Sequence, residues 1–269
     1  MEKPVVTCLK LPSGSRLVRF TDISDAYWYD NPVNNPRGHA IKYCDEDSVK
    51  SYFKDRSVLT ESKLNLIKQA KAQMSADPDF LSLVYKGASL KRKFDMNKFV
   101  GNLSIVDYAK GSDKMFRKSV PGGKKQTLNL AFQVGTFVNG NYTQAFIKIL
   151  KTIMMCQAMN ISVNIDVFDS DVSGIGGDYA YCIINIAKSS EKLDFRKILI
   201  ASHQRFFDYT LFNGYSAFGL RTNISGFIGT QRIIEDLGPR YDVIGGNLLS
   251  MSEDKSMVSQ ILKIGLNGR

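Results

Sequence analysis

A strand–helix–strand pattern in residues 127–168 constrains the fold of this chain more than any other feature of its sequence. TLNLAFQVG is typical of a strand, and ISVNIDVF alternates apolar and polar residues as a second strand would. The intervening segment repeats apolar residues at helical spacing, at Ala145, Ile149, Ile153 and Cys156. Because its apolar face is wide, we expect this helix to be mostly buried. Two strands joined through such a helix are predicted to be parallel, with a right-handed crossover.

Further segments extend this pattern in both directions along the chain. AYCIINIA is a third strand whose continuous apolar run suits burial on both faces. LDFRKILIASHQRFFDYTLF predicts a helix that begins at Asp194, and DVIGGNLLSM and SMVSQILKIG predict a late strand and a closing helix. VVTCLKL and SRLVRF predict two short strands around the turn PSGS. The sequence thus predicts an N-terminal α+β region over residues 1–85, a basic connecting segment over residues 86–125 and an α/β domain over residues 126–269.

Composition excludes several classes of protein. A hydrophobic content of 43% over 269 residues is sufficient for a core, which argues against global disorder. No apolar run approaches ~18 residues, so no transmembrane helix is expected. The first twenty residues lack the apolar core of a signal peptide, so we expect a cytosolic protein. No two of the four cysteines form a C-x-x-C pair, and Cys156 and Cys182 are expected to be small core residues.

Positive charge is concentrated in the basic connecting segment. The chain has a formal net charge of +10, and residues 86–125 alone carry 11 Lys or Arg against 3 Asp or Glu. Basic side chains can neutralise phosphates, and the interleaved aromatic residues can stack on bases. One hypothesis is therefore nucleic-acid binding; the other is a solvated, lysine-rich loop. The residues that would bind are Lys91, Arg92, Lys93, Arg117, Lys118, Lys124 and Lys125.

Residues 169–180 match the first half of a calcium-binding loop. Oxygen ligands and a turn glycine are available at Asp169, Asp171, Ser173 and Gly174. The twelfth position, which requires a bidentate acid, is Ala180. The flanking segments also read as strands and not as helices. We therefore expect a polar β-hairpin loop at this position and no bound metal.

No set of residues predicts catalysis. The two histidines, His39 and His203, are far apart in the sequence, and neither accompanies a nucleophile motif. GGKKQT lacks the first glycine of a P-loop, and GYSAFG is one residue too long for a nucleophile elbow. Glu235 and Asp236 precede Leu-Gly-Pro and read as a solvated helix end. We expect a protein that is not an enzyme and that has no cofactor.

From about Phe94 to the end, the chain resembles the von Willebrand factor A-like (VWA-like) proteins of tailed bacteriophages. The resemblance lies in FDMNKFVGN, a charged segment, TLNLAFQVG, TQAFIKILKTIMMCQAMN and ISVNIDVF, in that order, and in IINIAKSSEKLDFRKILIASHQRFFDYTLF further on. It implies a doubly wound α/β fold with a mainly parallel sheet and helices on both faces. In metal-binding members of the wider superfamily, Asp-x-Ser-x-Ser ends the first strand. Here residues 133–139 lack that aspartate, and only Thr136 and Asn139 offer oxygens, so a functional metal-adhesion site is not expected.

The resemblance points to binding at one edge of the sheet. Ligands of open α/β sheets lie at the carboxyl ends of the strands. That edge would hold the partner-binding residues Gln133, Thr136, Asn139, Asp169, Asp171 and Asp178. The expected function is a phage-encoded module for protein–protein interaction in the host cytoplasm, with virion association and oligomeric state left open. Nucleic-acid binding through residues 86–125 is the alternative.

Overall fold

A computed structural model of the chain describes residues 3–29, 33–36, 69, 72, 76, 126–134, 142–158, 161–172, 179–191, 197–198, 201–202, 210–220, 230–247 and 255–267. Within these residues the strands are β1 (Val6–Lys10), β2 (Arg16–Phe20), β3 (Gln126–Gln133), β4 (Ile161–Val172), β5 (Tyr179–Ala187) and β6 (Val243–Asn247). The helices within the described residues are α1 (Ile23–Trp28), α2 (Tyr142–Ala158), α3 (Leu211–Ala217), α4 (Thr230–Leu237) and α5 (Lys255–Asn267). A short 3₁₀ turn, Gly238–Arg240, follows α4 and precedes β6.

The strands form a single six-stranded sheet in the order β1-β2-β5-β4-β3-β6. Strand β3 is parallel to both of its neighbours, with Leu130 opposite Ile165 of β4 and opposite Val243 of β6. The prediction that TLNLAFQVG and ISVNIDVF form parallel strands joined by a helix is therefore confirmed for β3, α2 and β4. The apolar segment after them forms β5, which is antiparallel to β4, so that β4 and β5 make the expected hairpin. Three of the five neighbouring pairs are parallel, and the protein has a mixed α/β fold.

The two predicted N-terminal strands are also present, and they belong to this sheet. Strands β1 and β2 pair antiparallel across the turn that contains Gly14, whose φ of 91° suits glycine. Strand β2 then pairs parallel with β5, with Val18 opposite Cys182. Residues 6–20 thus extend the sheet formed by residues 126–247. The boundaries predicted at residues 85 and 125 lie outside the described residues.

One side of the sheet, here called the broad face, is covered by α1, α2, α3 and α5. Alternate strand residues point into this layer and meet the apolar sides of the helices. Helix α2 is buried along most of its length, as its wide apolar face predicts; Phe146, Ile149 and Cys156 are each 0% exposed. Cys182 of β5 is buried in the same cluster, which confirms the prediction that both cysteines are core residues.

The opposite side of the sheet, here called the polar face, carries a smaller apolar cluster and a set of buried polar groups. Leu17, Phe168 and Tyr181 pack there against Ile233 and Leu237 of helix α4. Asp166 and Asn185 project from β4 and β5 on the same face, because their positions alternate with those of the broad face.

Two predicted boundaries differ from the observed ones. Strand β4 does not end at Phe168 but continues to Val172, because residues 169–172 pair with the first residues of β5. The helix predicted to begin at Asp194 lies mostly outside the described residues, and the helix near its end, α3, runs on to Ala217. The late strand and the closing helix are confirmed as β6 and α5.

None of the helices in the described ranges has the length and apolarity needed to span a membrane.

Candidate functional site

The carboxyl ends of β3, β4 and β6 meet at one edge of the sheet, here called the carboxyl edge. These three strands run in the same direction, since β3 is parallel to both β4 and β6. The chain passes from β3 to β4 on one side, and later adds β6 on the other side of β3. A point where the strand order reverses in this way leaves a crevice at the strand ends, and ligands of open α/β sheets bind there. The end of β3 is therefore the primary candidate site.

Gln133 is the last residue of β3 and lies at this reversal point. Its side-chain amide Nε2 donates to Ser170 Oγ of β4 over 3.3 Å, which ties the two strand ends together. On the other side Gln133 is opposite Asn247, the last residue of β6. The pairing register between β3 and β6 shifts between Phe132 and Gln133, so β6 carries a bulge there. Bulges are common beside functional sites because they redirect side chains at a strand end.

Asp169 and Asp171 lie at the same edge but on the broad face. Asp169 is opposite Cys182, which belongs to the core of that face, whereas Gln133 and Ser170 point to the polar face. Burial raises the pKa of Asp169 to about 8; the backbone N–H of Ser170 opposes this shift, and the carboxylate of Asp171 adds to it. Burial thus favours the protonated, uncharged form of the Asp169 carboxyl. The edge therefore presents neutral hydrogen-bonding groups, with Asp171 as the neighbouring acid.

The structure brings together three of the six predicted partner-binding residues, Gln133, Asp169 and Asp171, on adjacent strands. It places them on two faces and not in a single row. Thr136, Asn139 and Asp178 lie outside the described residues. The same holds for all seven basic residues of the nucleic-acid hypothesis, Lys91, Arg92, Lys93, Arg117, Lys118, Lys124 and Lys125.

The described part of the chain contains no group of three or more His, Cys, Asp or Glu side chains placed to share a metal ion. The calcium-type half motif is divided between two secondary-structure elements. Asp169 and Asp171 are strand residues of β4, and Ala180 is a buried residue of β5 paired opposite Asp171. A carboxyl with a pKa of about 8 and neutral amide or hydroxyl oxygens are weak ligands for a hard divalent cation.

Asp236 was predicted to lie at a solvated helix end, and this prediction is wrong. Its side chain is only 1% exposed. Its Oδ2 accepts hydrogen bonds from Ser15 Oγ and Tyr181 OH, both at 2.7 Å, and from Arg232 Nε at 3.2 Å. Arg232 also donates to the Ser13 carbonyl. Asp236 lies between Ile233 and Leu237 on the buried side of α4, and this apolar spacing is the sequence signal that could have indicated its burial.

The environment of Asp236 keeps its carboxylate charged. Burial alone would raise the pKa of Asp236, but hydrogen bonds from Ser13, Ser15 and Tyr181 and the charge of Arg232 bring it below its usual range. Burial, followed by the hydrogen bond to Asp236, raises the pKa of Tyr181 far above its usual range, so that the phenol remains a donor. This network fastens helix α4 to the β1–β2 turn and to β5.

Asp166 forms a second buried network on the polar face. Its Oδ2 accepts from Tyr241 OH at 2.7 Å and from Arg19 at 3.0 Å, and its Oδ1 accepts from Asn185 Nδ2 at 2.7 Å. These partners come from the segment before β6, from β2 and from β5. One carboxylate on β4 therefore links segments on both sides of the strand. Because each oxygen of the Asp166 carboxylate accepts a hydrogen bond within the protein, we interpret Asp166 as a structural residue.

Comparisons of the chain with family models, with curated proteins and with solved structures found no match. The site is therefore interpreted from its own residues and from the topology that positions them.

Proposed function

We propose that this protein is a VWA-like, phage-encoded binding module that is not an enzyme and that contacts a protein partner through the carboxyl edge. The observation that carries the proposal is the reversal of strand order at β3, together with the Gln133–Ser170 contact at that point. The strand order β5-β4-β3-β6, with β3 parallel to both neighbours, supports the doubly wound part of the proposal.

The chemistry of the edge favours a protein ligand. The Gln133 amide and the Ser170 hydroxyl both donate and accept hydrogen bonds, as the polar rim of a protein interface does. In its uncharged form the Asp169 carboxyl can donate a hydrogen bond as well. Such groups recognise backbone amides without the cost of removing water from several charges. The bulge in β6 redirects the end of that strand beside Gln133, as bulges next to binding sites do.

The proposal is tested by affinity capture from a lysate of infected host cells. The variants are Gln133→Arg, which places a large cation at the reversal point, and Gln231→Arg, which makes the same change at an exposed position of α4. We expect the wild type and Gln231→Arg to retain the same specific protein and Gln133→Arg to lose at least about tenfold in affinity, or about 1.4 kcal/mol. Failure to recover a specific protein at any salt concentration, or equal capture by both variants, would contradict the proposal.

Nucleic-acid binding is the second candidate, because the basic connecting segment carries nearly all of the excess charge of the chain. It predicts binding to DNA or RNA that weakens steeply with salt. The triple variant Lys91→Glu, Arg92→Glu and Lys93→Glu should reduce both the affinity and the salt dependence. Absence of binding at about 50 mM salt, where such contacts are strong, would remove this candidate.

A further inference from the structure

Strand β1 forms one end of the sheet, and its outer side is exposed. It is the first strand in the order β1-β2-β5-β4-β3-β6, and Thr7, Cys8, Leu9 and Lys10 are all exposed. Val5, just before it, is 84% exposed and Leu9 is 38% exposed, which are two of the large apolar side chains that the described residues leave in solvent. An exposed edge strand with apolar residues is a template for pairing with another strand.

The hydrogen-bond pattern of the β1–β2 hairpin shows which groups are available for pairing. Leu11 N donates to Ser15 O over 2.7 Å, so Leu11 faces β2. Backbone groups of an antiparallel pair alternate between the two sides of a strand. Leu9 and Thr7 therefore also bond towards β2. The N–H and C=O groups of Val6, Cys8 and Lys10 point away from the sheet.

The sequence around β1 is symmetric about Cys8 in the features that decide strand pairing. Pro4 and Pro12 lie four residues before and after Cys8, and the outward-facing Val6 and Lys10 lie two residues before and after it. If two copies of β1 pair antiparallel with Cys8 on the two-fold axis, Val6 lies opposite Lys10 of the other copy. Pro4 and Pro12 then lie beyond the paired residues at the two ends, where neither has an N–H to continue the ladder.

The neighbouring registers are less favourable. A shift by two residues in one direction places Lys10 opposite Pro4, and a shift in the other direction places Val6 opposite Pro12, so the carbonyl of Lys10 or of Val6 then faces a residue without an N–H. A shift of four residues in the second direction places Lys10 opposite Lys10 of the other copy, and directly opposed like charges are destabilising. The register centred on Cys8 is the one that pairs all three outward-facing residues without a charge conflict.

We propose that this chain forms a two-fold symmetric dimer through antiparallel pairing of β1 with β1 of a second copy, centred on Cys8. The pairing joins the two sheets into one continuous sheet and covers the apolar side chains beside β1. It leaves the carboxyl end of β3 free, because β2, β5 and β4 separate that strand from β1. The dimer and the proposed partner site are therefore independent of each other.

The test uses two double variants of the full chain that differ in a single residue. In the proposed register Thr7 of one copy faces Leu9 of the other, and both side chains are exposed. Thr7→Glu with Leu9→Lys places opposite charges across the interface, whereas Thr7→Glu with Leu9→Glu places like charges there. We expect sedimentation velocity to give the wild type and the Glu/Lys variant twice the 30.1 kDa mass of the chain. The Glu/Glu variant should be monomeric, with a dissociation constant raised at least about tenfold. Its circular dichroism spectrum should match that of the Glu/Lys variant, which shows that the fold is intact, and its melting temperature should equal that of the wild type diluted below its dissociation constant.

Disulfide formation reports the register directly. Cys156 and Cys182 are buried, so in a Cys44→Ser background Cys8 is the exposed thiol. Facing residues of a hydrogen-bonded antiparallel pair are about 5.5 Å apart at Cα, which is within the span of a disulfide. Mild oxidation at alkaline pH should give a covalent dimer that Cys8→Ser abolishes. A wild-type chain that remains monomeric at all concentrations would overturn the proposal. So would equal dimerisation of all three forms, loss of the dimer in both double variants, or a dimer that Cys8 does not cross-link.

Discussion

The two faces of the sheet are held together by different interactions. The broad face is an apolar layer in which α2 alone contributes a nearly continuous row of buried side chains. The polar face has one covering helix in the described part of the chain, α4, and its buried groups include two carboxylates, Asp166 and Asp236. Apolar contacts are nondirectional, whereas each carboxylate fixes specific donors in place.

Directed hydrogen bonds fix the position of the helix on the polar face, whereas apolar packing on the broad face favours a helix position without fixing it. The buried side chains of helix α2 could be replaced by other apolar side chains of similar total volume, with a slight shift of the helix, because apolar cores tolerate such changes. Helix α4 cannot shift without breaking the bonds from Asp236 to Ser15 and Tyr181. The polar face therefore fixes the position of α4 relative to the N-terminal hairpin and β5. Substitutions in the two faces should therefore differ in their effect on stability.

Truncation in the broad face should have the largest effect. Phe146 of α2 is 0% exposed within the apolar cluster, so Phe146→Ala removes a buried ring and leaves a cavity. We expect a loss of about 4 kcal/mol in the free energy of unfolding, measured by urea denaturation. Ile234→Ala, at a half-exposed position of α4, is the control and should change stability by less than about 0.5 kcal/mol. A loss below about 1 kcal/mol for Phe146→Ala would mean that the broad face is not the main core.

Removing the charge of Asp236 should have the next largest effect. Asp236→Asn keeps one oxygen acceptor but removes the negative charge that pairs with Arg232 and strengthens the bonds from Ser15 and Tyr181, and we expect a cost of about 3 kcal/mol at neutral pH. Glu235→Gln, at the exposed neighbouring position, is the matched control. Since the folded-state pKa of Asp236 lies below its usual value, its contribution is complete above the unfolded-state pKa and is lost as pH falls through the folded-state pKa. Equal stability of the two variants would refute the specifying role of the polar face.

Asp169→Asn should stabilise the protein at neutral pH. The folded-state pKa of Asp169 is about 8, so the folded state holds a proton that the unfolded state releases above about pH 4. Wild-type stability should therefore fall as pH rises between these values, and the variant should lack this slope. We expect no gain near pH 4 and a gain that grows by up to ~1.4 kcal/mol per pH unit towards pH 7, from urea denaturation across this range. If the stability of the wild type and of the variant depended on pH in the same way, Asp169 would be ionised in the folded protein.

A surface ion pair should have the smallest effect. Lys188 Nζ lies 3.0 Å from Glu191 Oε1, and both side chains are well exposed. Lys188→Ala should change the free energy of unfolding by less than about 0.5 kcal/mol, with no difference at high salt. A cost above about 1 kcal/mol would show that this pair supports the chain segment after β5 more than exposed ion pairs normally do.

Much of the fold follows from the periodicity of the sequence. The apolar residues of α2 and the alternation in β3 and β4 predict a parallel pair around a helix, and the apolar run of β5 predicts a strand buried on both faces. The pairing of β2 with β5 could not be predicted in the same way. It depends on contacts between residues such as Val18 and Cys182, which are far apart in the chain.

The candidate site could be predicted only in outline. The edge that holds Gln133 and Asp169 follows from the parallel strands, but their separation onto opposite faces depends on β4 continuing past Phe168. The burial of Asp236 was not predicted, because two adjacent acidic residues before Gly and Pro usually mark a solvent-exposed helix end. Its acceptor role depends on Ser15, which is 221 residues away in the chain.

Hydrogen–deuterium exchange tests most directly whether the carboxyl edge is the binding surface. Exchange would be compared in the free chain and in its complex with the captured partner. Binding at the reversal of strand order predicts slower exchange in peptides that contain Gln133 and residues 169–172, with little change in β1 and β2. Protection confined to β1 and β2, with no change at Gln133, would contradict the account.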